Sequence, residues 1–266
     1  MTNIERVAVS NCVIRDTHLN GIKIQESFGA AMKDLVFSNI VMDNVKGPIS
    51  LRLAGWGMGI GNVWAVFDDS KWEKGELRNV LFENIRATSP NREWGISITG
   101  ASRARTQEIT FSNMDITFSG GGTAKEAARR EVPDLERDYP ECYIFGVLPA
   151  YGLYAHHADG ITLNNVRFHL QSPDLRPAIV CDDTRDLEIA GLKAEGNAQG
   201  EALIRLQRVQ GATIADSRPL NAIGCFLQVE GVGSRSIFLR SLRPDLVGKA
   251  VQYGAGAPPD AVSHRE

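Results

Sequence analysis

The sequence has no apolar run approaching the roughly 20 residues that a membrane-spanning helix needs, so no span of that kind can be placed. It also lacks a basic surplus. The formal net charge is -3, which supplies neither an electrostatic footprint for nucleic acid nor a polybasic patch for a membrane surface. Neither nucleic acid nor a membrane is therefore expected as a partner. Cysteine is scarce, at four residues: Cys12, Cys142, Cys181 and Cys225. None forms a C-x-x-C pair, and their scatter suits neither a zinc site nor a disulfide framework, which leaves them as small buried hydrophobes. Helix-favouring stretches are few, while glycine is frequent at 26 residues, a balance that leans toward an all-β chain rich in turns. No signal-peptide pattern stands at Thr2, Asn3 and Ile4, where strand-like sequence begins at once, and the compartment stays open.

What is present is a repeat. VAVSNCVI at 7–14 returns as LVFSNIVM at 35–42, VLFENI at 80–85, ITFSNMDI at 109–116 and ITLNNVRF at 161–168. Weaker copies follow at 187–192, 212–216 and 237–242. Each copy alternates apolar and other residues, turns at Asn, Gly, Asp or Ser, then alternates again. Period two means strand, with one row of side chains facing inward. Adjacent copies lie about 25–29 residues apart, with two longer gaps, as expected of a solenoid of stacked coils.

A second strand signal follows each first one, among them GIKI at 21–24, PISLRL at 48–53, GISIT at 95–99, GLYA at 152–155 and PAIV at 177–180. Each coil thus supplies short strands on different faces. Asparagine tolerates left-handed backbone and bonds loose backbone groups at bends. Stacked, Asn11, Asn39, Asn84, Asn113 and Asn165 are expected to form a structural side-chain ladder.

The length of 266 residues fits one large domain or two small ones. The repeat predicts a single domain over residues 1–246, with insertions near 55–75 and 120–150. The first insertion carries Trp56, Trp64 and Trp72 among glycines. Residues 247–266 are rich in Gly, Pro and charge, and read as a frayed polar tail.

The segments VSNC at 9–12, THLNGIKI at 17–24, FSNIVM at 37–42 and Pro48-Ile49 resemble glycoside hydrolase family 28, the polygalacturonases and their relatives. FGVLPAYGLY at 145–154, RPAIVCDD at 176–183 and the preceding YPE at 139–141 resemble its bacterial members. The resemblance covers nearly all of the chain and corresponds to the family's C-terminal half. It implies an all-β, right-handed parallel β-helix of the pectin-lyase-like fold. It also implies inverting hydrolysis, in which an acid and a base stand about 6.5–9.5 Å apart to admit water. In the family those carboxylates lie in Asn-Thr-Asp and Asp-Asp motifs that, with a Gly-His-Gly motif, precede an Arg-Ile-Lys motif. The counterpart of Arg-Ile-Lys here is Lys23-Ile24-Gln25, close to Met1, so the three upstream motifs have no counterpart and no catalytic residue is assigned. Lys23 keeps a positive charge without the bidentate fork of arginine, and Gln25 loses the charge.

Alternation selects the substrate-binding candidates. With Ile22 and Ile24 inward, Lys23 and Gln25 point outward; Ser50, Arg52, Ser97 and Thr99 do so by the same rule. Lys23, Gln25, Arg52 and Thr99, with Trp56 available to stack on a sugar ring, are the expected contacts to a polysaccharide or oligosaccharide. Asp68-Asp69 and Asp182-Asp183 read as turn residues. His156-His157 reads as no metal pair, because adjacent strand residues face opposite ways. Neither metal nor cofactor is expected. The function implied is a partial polygalacturonase-like hydrolase of pectic or related polysaccharide, inactive as an isolated chain. The alternative is a non-catalytic β-helix that binds carbohydrate or serves as a scaffold. A lyase on the same fold has less support, since no calcium-type acidic cluster appears.

Overall fold

The alternating segments are strands in the computed structural model, which describes residues 3–26, 29–53, 75–135 and 142–265. The longer ones are β1 (Ile4–Glu26), β2 (Ala31–Leu53), β3 (Glu76–Ser89), β4 (Ile96–Thr99), β5 (Thr106–Phe118), β6 (Leu153–Leu170) and β7 (Ile179–Ala190). They are followed by β8 (Lys193–Ala194), β9 (Ile204–Gln207), β10 (Gln210–Ala215), β11 (Arg218–Pro219) and β12 (Ile223–Glu230). The last are β13 (Arg235–Arg240), β14 (Val247–Tyr253) and β15 (Val262–Arg265). The fold is all-β. One four-residue helix, α1 (Ala124–Ala127), and short 3-10 turns are the helical content among the described residues.

The ladders between these strands are parallel, and the main path runs β1-β2-β3-β5-β6-β7-β10-β13-β15. A second path joins β2, β4, β6, β7, β9, β12 and β14. Single left-handed residues bend the long strands. β1 turns at Arg6, Asn11 and Asp16 (φ 58°, 55° and 53°), and β2 at Asp34, Asn39 and Asn44 (φ 57°, 55° and 55°). Such a corner costs most side chains about 1–2 kcal/mol, and Asn or Asp least. The asparagines also bond one another between layers, as the repeat led us to expect. Asn39 donates to Asn11 at 3.3 Å, Asn84 to Asn39 at 3.1 Å and Asn165 to Asn113 at 2.9 Å. These partners are 28, 45 and 52 residues apart, so the two longer intervals absorb the insertions without loss of register.

Inward rows build one core. Phe37, Phe82 and Phe111 stack with centroids 5.2 Å apart at each step, and Phe82 and Phe111 are fully buried. On the second path Ile49, Leu51, Ile96, Ile98, Leu153, Ile179, Ile204 and Leu227 face the same interior. Cys181 and Cys225 are free and buried, and Cys12 is free and half-buried. No helix among the described residues is long and apolar enough to cross a membrane.

One local reading is corrected. The stretch after Leu246 is no frayed tail, since β14 and β15 extend the stack by pairing with β12 and β13. The insertion near 120–150 packs on the strands. Trp94, Val132, Phe145, Leu148 and Ala150 pack with the outward Tyr154 and Val180 as a second apolar cluster over β6 and β7. The segment opens on a capping box, in which Thr123 and Glu126 satisfy each other's backbone N–H at the start of α1. A buried ion pair anchors it: the Asp174 carboxylate accepts from Gly122 N, Arg176 N, Arg176 Nε and Arg176 Nη2 at 2.7–3.1 Å. The insertion near 55–75, with Trp56 and Asp68-Asp69, lies outside the described residues apart from Gly75.

Candidate functional site

The second strand path carries two outward rows. In one, Lys23 aligns with Ser50, Ser97, Tyr154, Val180, Arg205 and Gln228. In the other, Gln25 aligns with Arg52, Thr99, His156, Asp182, Gln207 and Glu230. Alternation therefore places Lys23, Gln25, Arg52 and Thr99 on one face. Their exposure differs sharply. Lys23 is exposed and Gln25 half-buried, whereas Arg52 and Thr99 are only 2% and 3% exposed. Arg52 Nη2 donates to the carbonyls of Leu135 (2.8 Å) and Asp134 (3.2 Å), and its guanidinium lies 4.9 Å from the centre of the Phe145 ring. Ser97 donates to Ser50 at 3.1 Å, and the Thr99 hydroxyl contacts Leu51 O at 3.4 Å. Arg52, although it points away from the core, is thus covered by the segment that follows β5, which alternation along a strand has no means of showing.

A cluster of titratable groups lies where β6 meets β7 beneath that segment. His157 has φ 50°, so the backbone turns a corner there and the two-residue alternation fails. The rings of His156 and His157 come to the same side, with centroids 3.8 Å apart. Nε2 of His156 lies 2.9 Å from Asp134 Oδ1, and Nε2 of His157 lies 3.0 Å from the same oxygen. At this corner the two adjacent histidines face the same side, contrary to the expectation from strand alternation.

Behind the rings stand Asp182 and Asp183. His156 Nδ1 is 3.2 Å from Asp182 Oδ2, and His157 Nδ1 contacts Asp183 Oδ2. Arg208 Nη2 pairs with Asp182 Oδ1 at 2.6 Å, while Arg105 pairs with Asp183 Oδ2 at 2.6 Å and Asp159 Oδ1 at 2.8 Å. Both aspartates are committed to cationic neighbours, in keeping with a structural role. Burial opposes charging of His156, but its bonds to Asp134 and Asp182 prevail and push the imidazole up to about 9. Hydrogen bonds from His156 and His157 hold the Asp134 carboxyl well below the usual range. Burial works against Asp183 too, yet Arg105 and His157 keep its carboxyl low.

Asp134, Arg105 and Arg208 carried no signal in the repeat. The His-His over Asp-Asp stacking did carry one, since His157 and Asp183 are 26 residues apart, one interval of the repeating frame. The frame compared between β6 and β7, rather than along one strand, finds that contact.

A polygalacturonase of Gossypium barbadense is 28% identical over 124 residues, which are 46% of this chain and 28% of that protein. One of Gossypium hirsutum matches to the same extent. The relationship is polygalacturonase-like. The matched stretch spans little more than a quarter of the length of either polygalacturonase. No family model matches the chain, and no solved structure does.

Proposed function

We propose that the chain is part of a polygalacturonase-like glycoside hydrolase acting on pectic or related polysaccharide. In this reading the stacked parallel strands form a right-handed parallel β-helix of the family 28, pectin-lyase-like type, one domain that contributes substrate-binding coils. The observation that carries it is the pairing of a polygalacturonase relationship with an outward Lys23 at the head of a row of stacked strands. Lys23 would meet a sugar carboxylate as a point charge, with Gln25 offering amide hydrogen bonds beside it and Trp56 a stacking surface. Inverting hydrolysis needs two separated carboxyl groups, and the aspartates clustered under the 123–150 segment are tied to arginine or histidine. In this reading the acid and base of the reaction belong to motifs that this sequence does not carry, and the isolated chain is expected to be inactive.

A second reading, a non-catalytic module that binds carbohydrate or serves as a scaffold, draws support from the burial of Arg52 and Thr99. One experiment separates both from an active enzyme, and a sugar-contacting face from a scaffold. The folded chain and its Lys23→Ala variant are assayed for reducing-sugar release from polygalacturonate, and for binding of galacturonate oligomers by calorimetry. We expect no turnover, and binding that weakens at least tenfold in the variant. Turnover would overturn the assignment of catalysis to other motifs. Absence of binding would remove the substrate-contact role of this face and favour a scaffold.

A further inference from the structure

We propose that Asp134, His156 and His157 form a binding site for a divalent first-row transition metal, with zinc as the ion to test first. Their donor atoms all lie within 4.8 Å of one another. Two edges of the triangle, from Asp134 Oδ1 to each Nε2, measure 2.9 and 3.0 Å. An ion with bonds of about 2.0–2.1 Å to tetrahedral ligands sets those ligands about 3.3 Å apart. Small side-chain movements would therefore open the triangle to admit it. Imidazole nitrogens and one carboxylate suit zinc and its neighbours, and leave a fourth position for water or a ligand oxygen.

The outer ring of the site has the matching chemistry. A metal-bound imidazole gains basicity and a fixed tautomer when its other nitrogen donates to a carboxylate. His157 Nδ1 is hydrogen-bonded to Asp183 and has that support, while His156 Nδ1 lies 3.2 Å from the Asp182 carboxylate without a hydrogen bond to it. Arg208 and Arg105 in turn hold the two aspartates in place. The histidine side chains are 8% and 12% exposed and that of Asp134 is 29% exposed, which leaves an approach from the Asp134 side. An ion here would clamp the segment carrying Asp134 to the β6 strand. The inference does not depend on the glycoside hydrolase reading.

The test uses the full chain stripped with chelator, titrated with Zn2+ by calorimetry and with Co2+ by visible absorption. One equivalent is expected to bind, with hydrogen exchange slowed in residues 123–135. Asp134→Asn is nearly isosteric and half-exposed, so it should keep the fold while weakening binding at least tenfold. His157→Ala should do the same, and Asp183→Asn should weaken binding about tenfold through the second ring. A His18→Ala/His169→Ala variant, which removes imidazoles elsewhere, should bind as the parent does. No uptake by the parent, uptake unchanged in folded Asp134→Asn, or uptake lost in the His18/His169 variant would overturn the proposal.

Discussion

Replacing Asp174 with asparagine tests how the segment from Gly120 to Ala150 is held down. Asp174 and Arg176 are both buried, and the carboxylate accepts four hydrogen bonds, two at each oxygen. Asparagine keeps one oxygen, so in either orientation its amide nitrogen confronts two donors: Gly122 N with Arg176 Nη2, or Arg176 N with Nε. Two buried donors left unsatisfied cost about 2–6 kcal/mol. Removal of one partner from a buried ion pair costs about 3–5 kcal/mol, because the other charge stays dry and unpaired. Both routes converge on about 4 kcal/mol. Urea unfolding monitored by far-UV circular dichroism, at unchanged m-value, reads it directly. Arg176→Met should cost a similar amount. The double variant should cost less than the sum of the singles, because it leaves no lone charge behind. Singles below 1 kcal/mol, or strictly additive losses, would refute the view that this pair anchors the segment.

Phe82→Ala should destabilise the chain by about 3–5 kcal/mol, since the ring is fully buried between Phe37 and Phe111. Phe82→Leu should cost under about 1.5 kcal/mol, and equal midpoints for the two variants in urea would contradict the stacked core. At Asn84, φ is 54° and the side chain bonds Asn39. Alanine there loses the bond and strains the backbone, whereas glycine loses only the bond, so Asn84→Ala should be less stable than Asn84→Gly by about 1 kcal/mol. A thermal midpoint for the alanine variant at or above that of glycine would show that the corner is not set by backbone conformation.

The strands and the inward rows were legible because alternation is a local property. Ile22, Ile24, Leu51 and Ile98 needed only their neighbours in sequence to be placed. The asparagine ladder was legible because the same residue recurred at the same point of each repeat. The chemistry at β6 was not, for two reasons. His157 lies at a left-handed corner, where counting by twos breaks down, although the strand runs on to either side of it. Asp134 comes from a segment with no repeat, so nothing local tells which face it covers. The same segment explains Arg52: its outward direction followed from alternation, but its burial depends on a chain section 82 residues away. Likewise, Gly and Pro in residues 247–266 masked strands whose main support is pairing with β12 and β13.

The unequal intervals between layers bear on how this architecture tolerates changes of chain length. Successive asparagines stay in contact whether 28, 45 or 52 residues separate them. Whole excursions can therefore be added or removed at loops while every layer keeps its partner. Between Val80 and Ile85 the opposite holds, because deletion of one residue would exchange the inward and outward sets of that layer. Homologues of this chain should differ in length by large steps at a few places and by none within the strands. Grafted segments should be accepted at the same few places, whatever their size.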